Sequence, residues 1–521
     1  MERSRVIRYA LWVLVVLSPI VSYVIIGLAT GTSLDSLDAW NSSWNDEQRH
    51  YRTVIQMRAF GEPSGIPGYD EVAAPRPSYG PYCALTYAPY YIGSFISGYE
   101  SHNFMYVLNA SFGVLACVLI VLLLKPDVWQ SLLVAVLVGS EFVIARFMCS
   151  GMTEASYVLY GALFICCVLV ALRNSTKKGS KKAALAALIV MVLATGFWGG
   201  MRPYILAFMV VPWLLLIVCD FGLSKRWRIA LGIAGVIASA LALGYYMYAS
   251  KYYATPYLTT TSFADGFFTI LGNSLAGLVQ NNIDGILYSC KKFVHLRWRG
   301  VLLFAFALGF IVLLVMCIRA YRRRNRTEGT LYLALLLAGL LIFEANLLLY
   351  SYEQMYRMMI VVDVVYFVAI IFGSDIPKIA GKVSVRSLVV ALSCATCIGS
   401  LAINNAEFAY PQYAEGYDYA EEVAVREKLQ EIMPKSDDQW DNTVAHPIEN
   451  GNIHLYYSLP YYLNTNNLRV RFTKSSMEAD SFKSKYVSIP IRDSLNTEMK
   501  KRYPIIFEGD NHVIYQVRDY K

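Results

Sequence analysis

Long apolar runs recur along the chain and alternate with short polar segments. Most of these runs reach about 18 residues, the length that a helix needs to cross a hydrocarbon core about 30 Å thick. The pattern therefore predicts a polytopic α-helical membrane protein with about eleven transmembrane helices. The predicted spans are 8–28, 104–124, 128–146, 153–172, 183–200, 203–219, 228–249, 300–318, 329–350, 356–373 and 386–404.

Three longer segments are more polar than the runs that flank them. Segments 29–102 and 250–299 are interpreted as outer loops of a membrane domain that covers residues 1–404. Segment 405–521 has no long apolar run, but it contains alternating stretches and a turn sequence, Gly509-Asp510-Asn511, typical of a hairpin. We expect it to form a small extracytoplasmic α/β domain.

Residues 263–288 are moderately apolar and could be counted as a further span. Their polar side chains, among them Asn273, Gln280 and Asp284, would be costly in lipid. A span there would also move the basic run Arg322 to Arg326 to the outer side. We therefore interpret this stretch as an interfacial or partly re-entrant helix.

The composition agrees with a membrane protein and excludes several other classes. The chain is 56% hydrophobic and 16% charged, with a mean hydropathy of +0.41, whereas soluble domains are about one quarter charged. A soluble enzyme, a nucleic-acid-binding protein and a disordered scaffold are all disfavoured. Most of the ten cysteines lie in apolar runs; Cys83 and Cys290 lie in the outer loops, where the sequence leaves their pairing open.

The net charge of +8 comes from basic residues in short connections between apolar runs. Such connections stay in the cytoplasm, so the N-terminus is predicted inside and the C-terminus outside the plasma membrane. The connecting basic residues are Arg3, Arg5, Arg8, Lys177, Lys178, Lys181, Lys182, Lys225, Arg226, Arg228, Arg319 and Arg322 to Arg326.

Most of the polar mass is thus predicted on the extracytoplasmic face, and any active site should lie there. Neither a P-loop nor a GxGxxG sequence followed by a helix is present to bind a nucleotide. An activated substrate should therefore be carried by the membrane.

The strongest candidate for chemistry is the acidic pair Asp46 and Glu47, shortly after the first span. A helix there would place Asp46 and His50 on one face. A carboxylate at the membrane surface can accept a proton from an attacking hydroxyl, although acids are also common in the first turn of a solvated helix. The residues point to no particular cofactor, and a divalent cation stays open as an alternative. Asp46 and His50 could contribute to such a site, but only with a third ligand.

An acidic pair in the first outer loop, about eleven spans and an outer C-terminal domain resemble the GT-C superfamily of membrane glycosyltransferases, which includes protein O-mannosyltransferases and lipid A aminoarabinose transferases. The resemblance implies a polyprenyl-phosphate sugar as donor and inversion at the anomeric carbon. It also implies that Asp46 acts as the base or orients the acceptor hydroxyl, with Glu47 beside it.

Cations at the outer edge of the membrane would stabilise the leaving phosphate. Arg202 follows the predicted fifth span, and Arg357 stands at the start of the tenth, in a Tyr356-Arg357 pair that resembles a lipid-phosphate element of the family in reversed order. Arginines at helix ends can instead snorkel to the headgroups. Arg297 and Arg299 belong to a basic run on the predicted outer side and are predicted to bind the donor phosphate; ordinary anionic lipids are an equally good alternative.

Further candidates for substrate contacts are His50, Tyr79, Tyr82, Glu154 and Tyr356. Glu154, at the start of the fourth span, could orient substrate or simply cap its helix. Tyr79 and Tyr82 lie in a Pro- and Gly-containing turn that could hold aromatic faces against a sugar or isoprenoid, or merely return the chain to the bilayer.

The sequence thus predicts an inverting glycosyltransferase that moves a sugar from a polyprenyl phosphate to a hydroxyl of a cell-envelope glycan, lipid or protein. Its expected partners are that donor, that acceptor and the bilayer, with no nucleic acid. One alternative is a polymerase or ligase that uses a lipid-diphosphate donor. The other is a lipid-linked sugar flippase or transporter, for which Glu344 and Asp363 are the clearest intramembrane acids.

Overall fold

The fold is described from a computed structural model of the whole chain. The described residues are 2–30, 50, 54, 57, 67–70, 84–97, 104–140, 151–175, 180–219, 221–250, 279–280, 282–349, 358–373, 378–380, 383–403, 424, 427–428, 431–432, 444–447, 469–472, 482, 484–491, 493–510 and 512–519.

The chain divides into two compact units. The first, here called the membrane unit, falls within Met1–Thr32, Tyr106–Tyr248 and Leu258–Ala409. The second, the sheet unit, falls within Ser33–Met105, Ala249–Tyr257 and Tyr410–Lys521. The sequence-based boundary between residues 404 and 405 stays a prediction.

Helices account for most of the described residues. They are α1 (Glu2–Thr30), α2 (Ala84–Ser97), α3 (Phe104–Leu119, continued by a π-helical turn Ile120–Leu124), α4 (Val128–Ser140), α5 (Ala155–Asn174), α6 (Lys181–Met201), a 3₁₀ helix Pro203–Met209 that runs into α7 (Val210–Val218), α8 (Lys225–Ser250), α9 (Trp298–Arg322), α10 (Arg326–Leu349), α11 (Ile360–Phe372), α12 (Val385–Ile403) and α13 (Leu495–Arg502). Residues 282–294 are also helical.

Six of the helices in the described part are long and apolar enough to cross a membrane, which confirms a polytopic helical membrane protein. They are Phe104–Leu124, Ala155–Asn174, Lys181–Met201, Lys225–Tyr248, Leu303–Arg322 and Arg326–Leu347. Three shorter apolar helices cover Val128–Val138, Pro203–Val218 and Ile360–Phe372. The predicted spans 8–28 and 386–404 coincide with α1 and α12, while the count of eleven stays a prediction.

Helix α11 is buried along its whole length. A helix that is apolar all round belongs in the middle of a bundle, and α11 packs against α4, α5, α9 and α12. Close approach depends on small residues of its neighbours. A Cβ atom at Gly161 of α5 would stand 3.2 Å from the Val361 carbonyl oxygen, and one at Gly339 of α10 would overlap the hydroxyl of Tyr366. That hydroxyl donates to the Leu335 carbonyl oxygen at 3.2 Å, so α10 and α11 are also joined by a hydrogen bond.

Basic residues close the helices at one end of the membrane unit. The Arg173 guanidinium, near the end of α5, donates to the Leu124 carbonyl oxygen at 3.0 Å. Arg228, near the start of α8, donates through Nε to the Leu216 carbonyl oxygen at 2.7 Å. In both cases a cation satisfies carbonyl groups that a helix C-terminus leaves without an intrahelical partner.

Other contacts bring more of the basic connections to this same end, here called the basic end. Lys181, at the start of α6, lies against Gly222 in the connection between α7 and α8. The Trp12 indole of α1 donates to the Pro126 carbonyl oxygen at 2.9 Å, next to the π-helical turn that ends at Leu124. The Cys219 side chain, after α7, lies near Thr327 at the start of α10. Short basic connections are therefore gathered on one face, as the sequence predicted.

Local capping explains why α4 begins where it does. The backbone N–H of Gln130 donates to the Asp127 carboxylate at 2.8 Å, and the backbone N–H of Asp127 donates to the Gln130 side-chain oxygen at 3.1 Å. This reciprocal pair is a capping box, which satisfies two backbone donors at a helix N-terminus. Just before it, Lys125 has φ = 50° and ends the π-helical turn of α3.

The sheet unit contains a six-stranded mixed sheet. Its strands are β1 (Pro67–Asp70), β4 (Val444–Pro447), β5 (Arg469–Phe472), β6 (Tyr486–Pro490), β7 (Ile505–Glu508) and β8 (His512–Gln516), in the order β1-β5-β4-β6-β8-β7. A separate short pair, β2 (Lys378–Ala380) and β3 (Val383–Ser384), precedes α12. In the six-stranded sheet, β1, β5, β4 and β6 are parallel, and β8 is antiparallel to both neighbours.

The order places β1, from the first outer loop, at the edge of a sheet whose other strands all come from the C-terminal segment. The hairpin β7–β8 turns at Gly509, whose N–H donates to the His512 carbonyl oxygen at 3.0 Å, as the turn sequence predicted. Strand β8 pairs with β6 and β7, and four of its five residues are buried. Burial and then the charge of Glu508 raise the pKa of Tyr515 to about 12, so its hydroxyl stays protonated and bonds to Asn496 at 2.8 Å.

A single added methyl group tests the close packing around α11. Gly339→Ala should lower the apparent melting temperature of the detergent-purified protein, since overpacking a close-packed site costs about 1–3 kcal/mol. Gly232→Ala in α8 is the matched control, because a Cβ there meets nothing within 4 Å. It should leave the melting temperature unchanged or raise it slightly. Equal melting temperatures for both variants would contradict close packing at Gly339.

Candidate functional site

Arg202 stands at a bend between two apolar helices of the membrane unit. It is the C-cap of α6, with φ = −143° and ψ = 106°, and Pro203 follows as the first residue of the 3₁₀ helix. Its backbone is held on both sides: the Arg202 N–H donates to the Trp198 carbonyl oxygen at 2.9 Å, and its carbonyl oxygen accepts from Ile205 at 3.0 Å. The extended Arg-Pro step thus ends one helix and begins the next.

The Arg202 side chain is buried, with 3% of the residue exposed. This corrects the alternative in which Arg202 snorkels to solvent at a helix end. Its Nε donates to the Tyr157 hydroxyl at 3.3 Å, and Tyr157 is itself fully buried in the first turn of α5. Because Nε lies in the plane of the guanidinium, this bond orients the whole planar group.

Glu154 immediately precedes α5 and is also fully buried. It has the N-cap position, but its side chain makes no capping hydrogen bond to the helix. The alternative in which the Glu154 side chain simply caps the helix is therefore wrong. The chain before it is held by Asn109 of α3, whose Nδ2 donates to the Met152 carbonyl oxygen at 2.9 Å.

The start of α11 lies beside the same part of α5. The Val361 carbonyl group approaches Gly161, one turn after Tyr157, and Asp363 is fully buried in the first turn of α11. The Tyr204 hydroxyl, two residues after Arg202, contacts the Met358 sulfur at 3.4 Å. Three acidic or basic side chains, Glu154, Arg202 and Asp363, therefore lie at adjoining helix ends.

These helix ends are opposite the basic end. Helix α5 runs from Glu154 to Arg173, and α6 runs from Lys181 to Arg202, so each has one terminus in either group. We call the group around Arg202 the acidic–arginine end. Buried charges are costly without compensating groups, so their concentration at one end of an apolar bundle is typical of a functional site.

In the sheet unit, His50 is fully buried, and its Nδ1 lies 3.0 Å from the Tyr87 hydroxyl of α2. Tyr87 is also fully buried, and the two rings are tilted by 52°. The hydrogen bond ties the segment that follows Asp46 and Glu47 to a helix. His50 therefore has a structural partner, whatever contact it makes with substrate.

Several predicted site residues lie outside the described part of the chain. They are Asp46, Glu47, Tyr79, Tyr82, Tyr356 and Arg357. Arg297 is exposed at the N-cap of α9, and Arg299 is the second residue of that helix. The structure thus brings Glu154 and Arg202 to one end of the membrane unit and places His50 in the sheet unit, while the roles of all these residues stay predictions.

Tyr157 and Asn109 were not among the sequence-based candidates. Tyr157 comes three residues after Glu154, in Glu154-Ala155-Ser156-Tyr157, and that spacing places both near the start of one helix. This spacing could therefore have identified Tyr157 as a neighbour of Glu154. Asn109 gave a weaker signal: it is a single polar residue in an apolar run.

Among the described residues, no group of three or more His, Cys, Asp or Glu side chains is placed to hold a metal ion. Asp46 lies outside that part of the chain. The divalent-cation site considered for Asp46 and His50 accordingly stays a prediction.

Sequence comparison finds no family model and no curated protein that matches the chain. Comparison of folds does find similar structures. The chain is similar to the oligosaccharyltransferase of Archaeoglobus fulgidus in its apo form, with a TM-score of 0.54 and 14% identity over 95% of this chain and 70% of that one. The chain has a GT-C fold.

A looser similarity is to ArnT from Cupriavidus metallidurans, solved with bound undecaprenyl phosphate. The TM-score is 0.43 and the identity 12%, over 96% of this chain and 98% of ArnT. The assignment of the fold depends on the oligosaccharyltransferase alone. It agrees with the fold that the resemblance to the GT-C superfamily implied.

A double-mutant cycle tests the His50–Tyr87 hydrogen bond. His50→Ala, Tyr87→Phe and the double variant should show a coupling free energy of about 1 kcal/mol, from thermal unfolding of the detergent-purified protein. Tyr91→Phe, one turn further along α2, is the control and should show no coupling to His50. Additive effects of His50→Ala and Tyr87→Phe would contradict the bond.

Proposed function

We propose that the protein is an inverting membrane glycosyltransferase. It moves a sugar from a polyprenyl phosphate to a hydroxyl group of a cell-envelope glycan, lipid or protein. The GT-C fold is the observation that carries the proposal. Because a fold alone does not define an activity, the argument also needs groups that fit the chemistry. Arg202 is such a group in the described part of the chain.

The leaving phosphate needs little protonation, whereas the acceptor hydroxyl must lose its proton. Asp46 accepts the proton of the acceptor hydroxyl, whose oxygen then forms a bond to the anomeric carbon. The bond between that carbon and the phosphate oxygen breaks on the opposite face, so the anomeric configuration inverts. The electron pair leaves with the polyprenyl phosphate, whose negative charge cations stabilise.

Arg202 and Arg357 supply this cationic stabilisation. A guanidinium is always protonated and presents a rigid set of donors that matches phosphate oxygens. Arg202 is preorganised for the role, because it is buried and its plane is oriented by Tyr157. Preorganised donors stabilise charge without reorganising during the reaction.

The distribution of charge supports an extracytoplasmic site in the plasma membrane. Short basic connections remain cytoplasmic, so the basic end would face the cytoplasm. The acidic–arginine end, with Glu154 and Arg202, would then face outward. A lipid-linked donor could be reached there, since its phosphate lies at the membrane surface.

The remaining predicted residues complete the proposal. Glu47 supports Asp46, and substrate contacts come from His50, Tyr79, Tyr82, Glu154 and Tyr356. From the sequence, Arg297 and Arg299 are additional candidates for binding the donor phosphate, with ordinary anionic lipids as the alternative. The sheet unit is proposed to bind the acceptor.

The buried acid of α11 favours one competing function, that of a transporter or lipid flippase. Asp363 is fully buried in an apolar helix, and intramembrane acids often mark ion pathways. Release of polyprenyl phosphate from a lipid-linked sugar by the purified protein separates the two, because a flippase breaks no bond. A lipid-diphosphate polymerase or ligase would instead release polyprenyl diphosphate.

Replacement of the proposed base should abolish the reaction. Asp46→Asn is expected to lower the release of polyprenyl phosphate by at least about 100-fold, the lower part of the range for a general base. The protein should still insert and elute as a single species in size-exclusion chromatography. Asp38→Asn, in the same outer loop, is the matched control and should retain normal turnover. Near-normal turnover by Asp46→Asn would remove Asp46 from this role.

Loss of the buried guanidinium should slow the chemical step. Arg202→Lys keeps a positive charge but loses the planar set of donors, and kcat should fall by about 100-fold. Tyr157→Phe should lower kcat less, because Arg202 keeps its charge but loses its orientation. Arg226→Gln, exposed at the start of α8, is the control and should change neither kcat nor KM. An unchanged kcat in a folded Arg202→Lys protein would contradict phosphate stabilisation by Arg202.

A further inference from the structure

The helical segment 282–294 has an apolar face that lies open. Val279, which precedes it, and Ile283, Ile286, Leu287 and Val294 are between 47% and 76% exposed. Cys290, on the same face, is exposed and free. Their positions recur every three or four residues, which defines one stripe of a helix. We call this stripe the apolar face.

The opposite side of the segment packs onto the membrane unit. The Asn282 side chain donates to the Glu344 carboxylate of α10 at 3.1 Å. At the other end, the Phe293 ring stacks on Phe304 of α9, with 4.5 Å between ring centroids. Gly285 and Ser289, one turn apart between these anchors, are buried. The segment is therefore fixed at both ends, with its apolar face turned away from the bundle.

These two anchors place the segment across the helix bundle rather than along it. From Asn282 to Phe293 the helix is about 17 Å long at 1.5 Å per residue. Its ends nevertheless contact α9 and α10 at similar depths in the bundle. Phe343, next to Glu344 on α10, stacks on Phe306 of α9. Phe306 is only two residues from Phe304, which the other end of the segment contacts. Two residues correspond to about 3 Å along α9. The helix axis therefore lies close to the plane of the membrane.

A tight turn connects this segment to α9 and holds it in that orientation. The Arg297 N–H donates to the Lys292 carbonyl oxygen at 2.9 Å, and the Leu296 N–H donates to Phe293 at 2.8 Å. Leu296 has φ = 48°, so the helix ends in a Schellman motif. Gly300 then passes so close to the Phe293 backbone that a Cβ atom would overlap it. The apolar span of α9, Leu303–Arg322, begins three residues later.

Positive charge is concentrated where the segment meets α9. Lys291 and Arg297 are exposed, and Lys292 is half-buried with its ammonium 5.2 Å from the centre of the Tyr288 ring. The group lies at the opposite end of α9 from Arg319 and Arg322, so the tendency of basic residues to remain cytoplasmic does not explain it. An open apolar stripe beside a basic cluster is the pattern of a helix that binds an anionic membrane surface.

We propose that helix 282–294 lies in the interface of the bilayer and binds anionic phospholipids. Its apolar face enters the acyl region, and Lys291, Lys292 and Arg297 bind the phosphate groups of those lipids. The occupant is ordinary anionic bilayer lipid, because the apolar stripe is several turns long and suits a lipid surface rather than one chain. The segment thereby fixes the depth of the acidic–arginine end in the membrane, since α6 and α9 reach that end together.

The first experiment measures the position of the apolar face. A nitroxide is attached at Cys290 in the full-length protein in vesicles of phosphatidylcholine and phosphatidylglycerol, and the spectrum of labelled Cys290→Ala is subtracted. Collisions with oxygen should exceed those with a water-soluble nickel complex. Ile286→Cys in the Cys290→Ala background gives a second position on the same face. Lys501→Cys, on exposed α13, calibrates access from water.

A label reached better by the nickel complex than by oxygen would overturn the proposal, because the face would then be in water. Protection from both reagents would also overturn it, because another protein surface would then cover the face.

The second experiment tests the charges. The triple variant Lys291→Gln, Lys292→Gln, Arg297→Gln should lose about tenfold in its preference for phosphatidylglycerol over phosphatidylcholine, measured by native mass spectrometry of lipid-titrated protein. The matched control removes the same charge from α13, by Lys500→Gln, Lys501→Gln and Arg502→Gln, and should keep the preference. Single substitutions at exposed Lys291 and Arg297 give smaller steps if the triple variant does not purify.

An unchanged preference in the folded triple variant would overturn the assignment of these charges. The same titration with polyprenyl phosphate distinguishes the donor from bulk lipid. If the variant lost binding of polyprenyl phosphate but kept its preference for phosphatidylglycerol, the cluster would belong to the donor site and the proposal would be wrong. The proposed glycosyl transfer would not be affected by failure of either experiment, since it depends on Asp46 and Arg202.

Discussion

The membrane unit depends on how closely its helices can approach α11. Inside a bilayer the surrounding lipid is as apolar as the helix surfaces, so the hydrophobic effect does not drive helices together. They associate mainly through close packing and a few hydrogen bonds. Helix α11 is buried on every side, and its neighbours reach it where they carry glycine, at Gly161 and Gly339. The Tyr366 hydroxyl adds a hydrogen bond to α10. Because α11 begins beside the first turn of α5, this packing also determines where Tyr157 lies, and Tyr157 in turn orients Arg202.

The two ends of the bundle use charge in different ways. At the basic end, Arg173 and Arg228 bond to backbone carbonyl groups, so their charge completes helix termini. At the other end, Glu154 and Arg202 are buried, and neither acts as a simple side-chain cap of its helix. Burial of a charge is costly, so such groups persist where they serve a purpose beyond ending a helix. This difference in burial and bonding is the reason why Glu154 and Arg202, rather than Arg173 and Arg228, are the candidates for function.

Much of the architecture follows from periodicity. The lengths of the apolar runs predicted the membrane helices, and alternation with a Gly-Asp-Asn turn predicted the β7–β8 hairpin, because these signals are local. The contact of Arg202 with Tyr157 was not predictable, since it joins residues 45 positions apart. The position of Arg202 at a helix end could be derived from its neighbouring Pro203, but its burial could not. The pairing of β1 with β5 also joins segments that are far apart in the sequence. In addition, β1 is only four residues long, Pro67–Asp70, and its sequence gives no signal of a strand.

Strand β1 connects the two extremes of the chain. It lies before all the membrane helices from α3 to α12, and the partner it pairs with, β5, lies after them. During synthesis, β1 therefore has no partner strand until β5 has been made. Folding of β1 into the sheet is therefore coupled to synthesis of the C-terminal strands. A chain interrupted after α12 would contain the described membrane helices from α1 to α12, but it would lack the strand that pairs with β1.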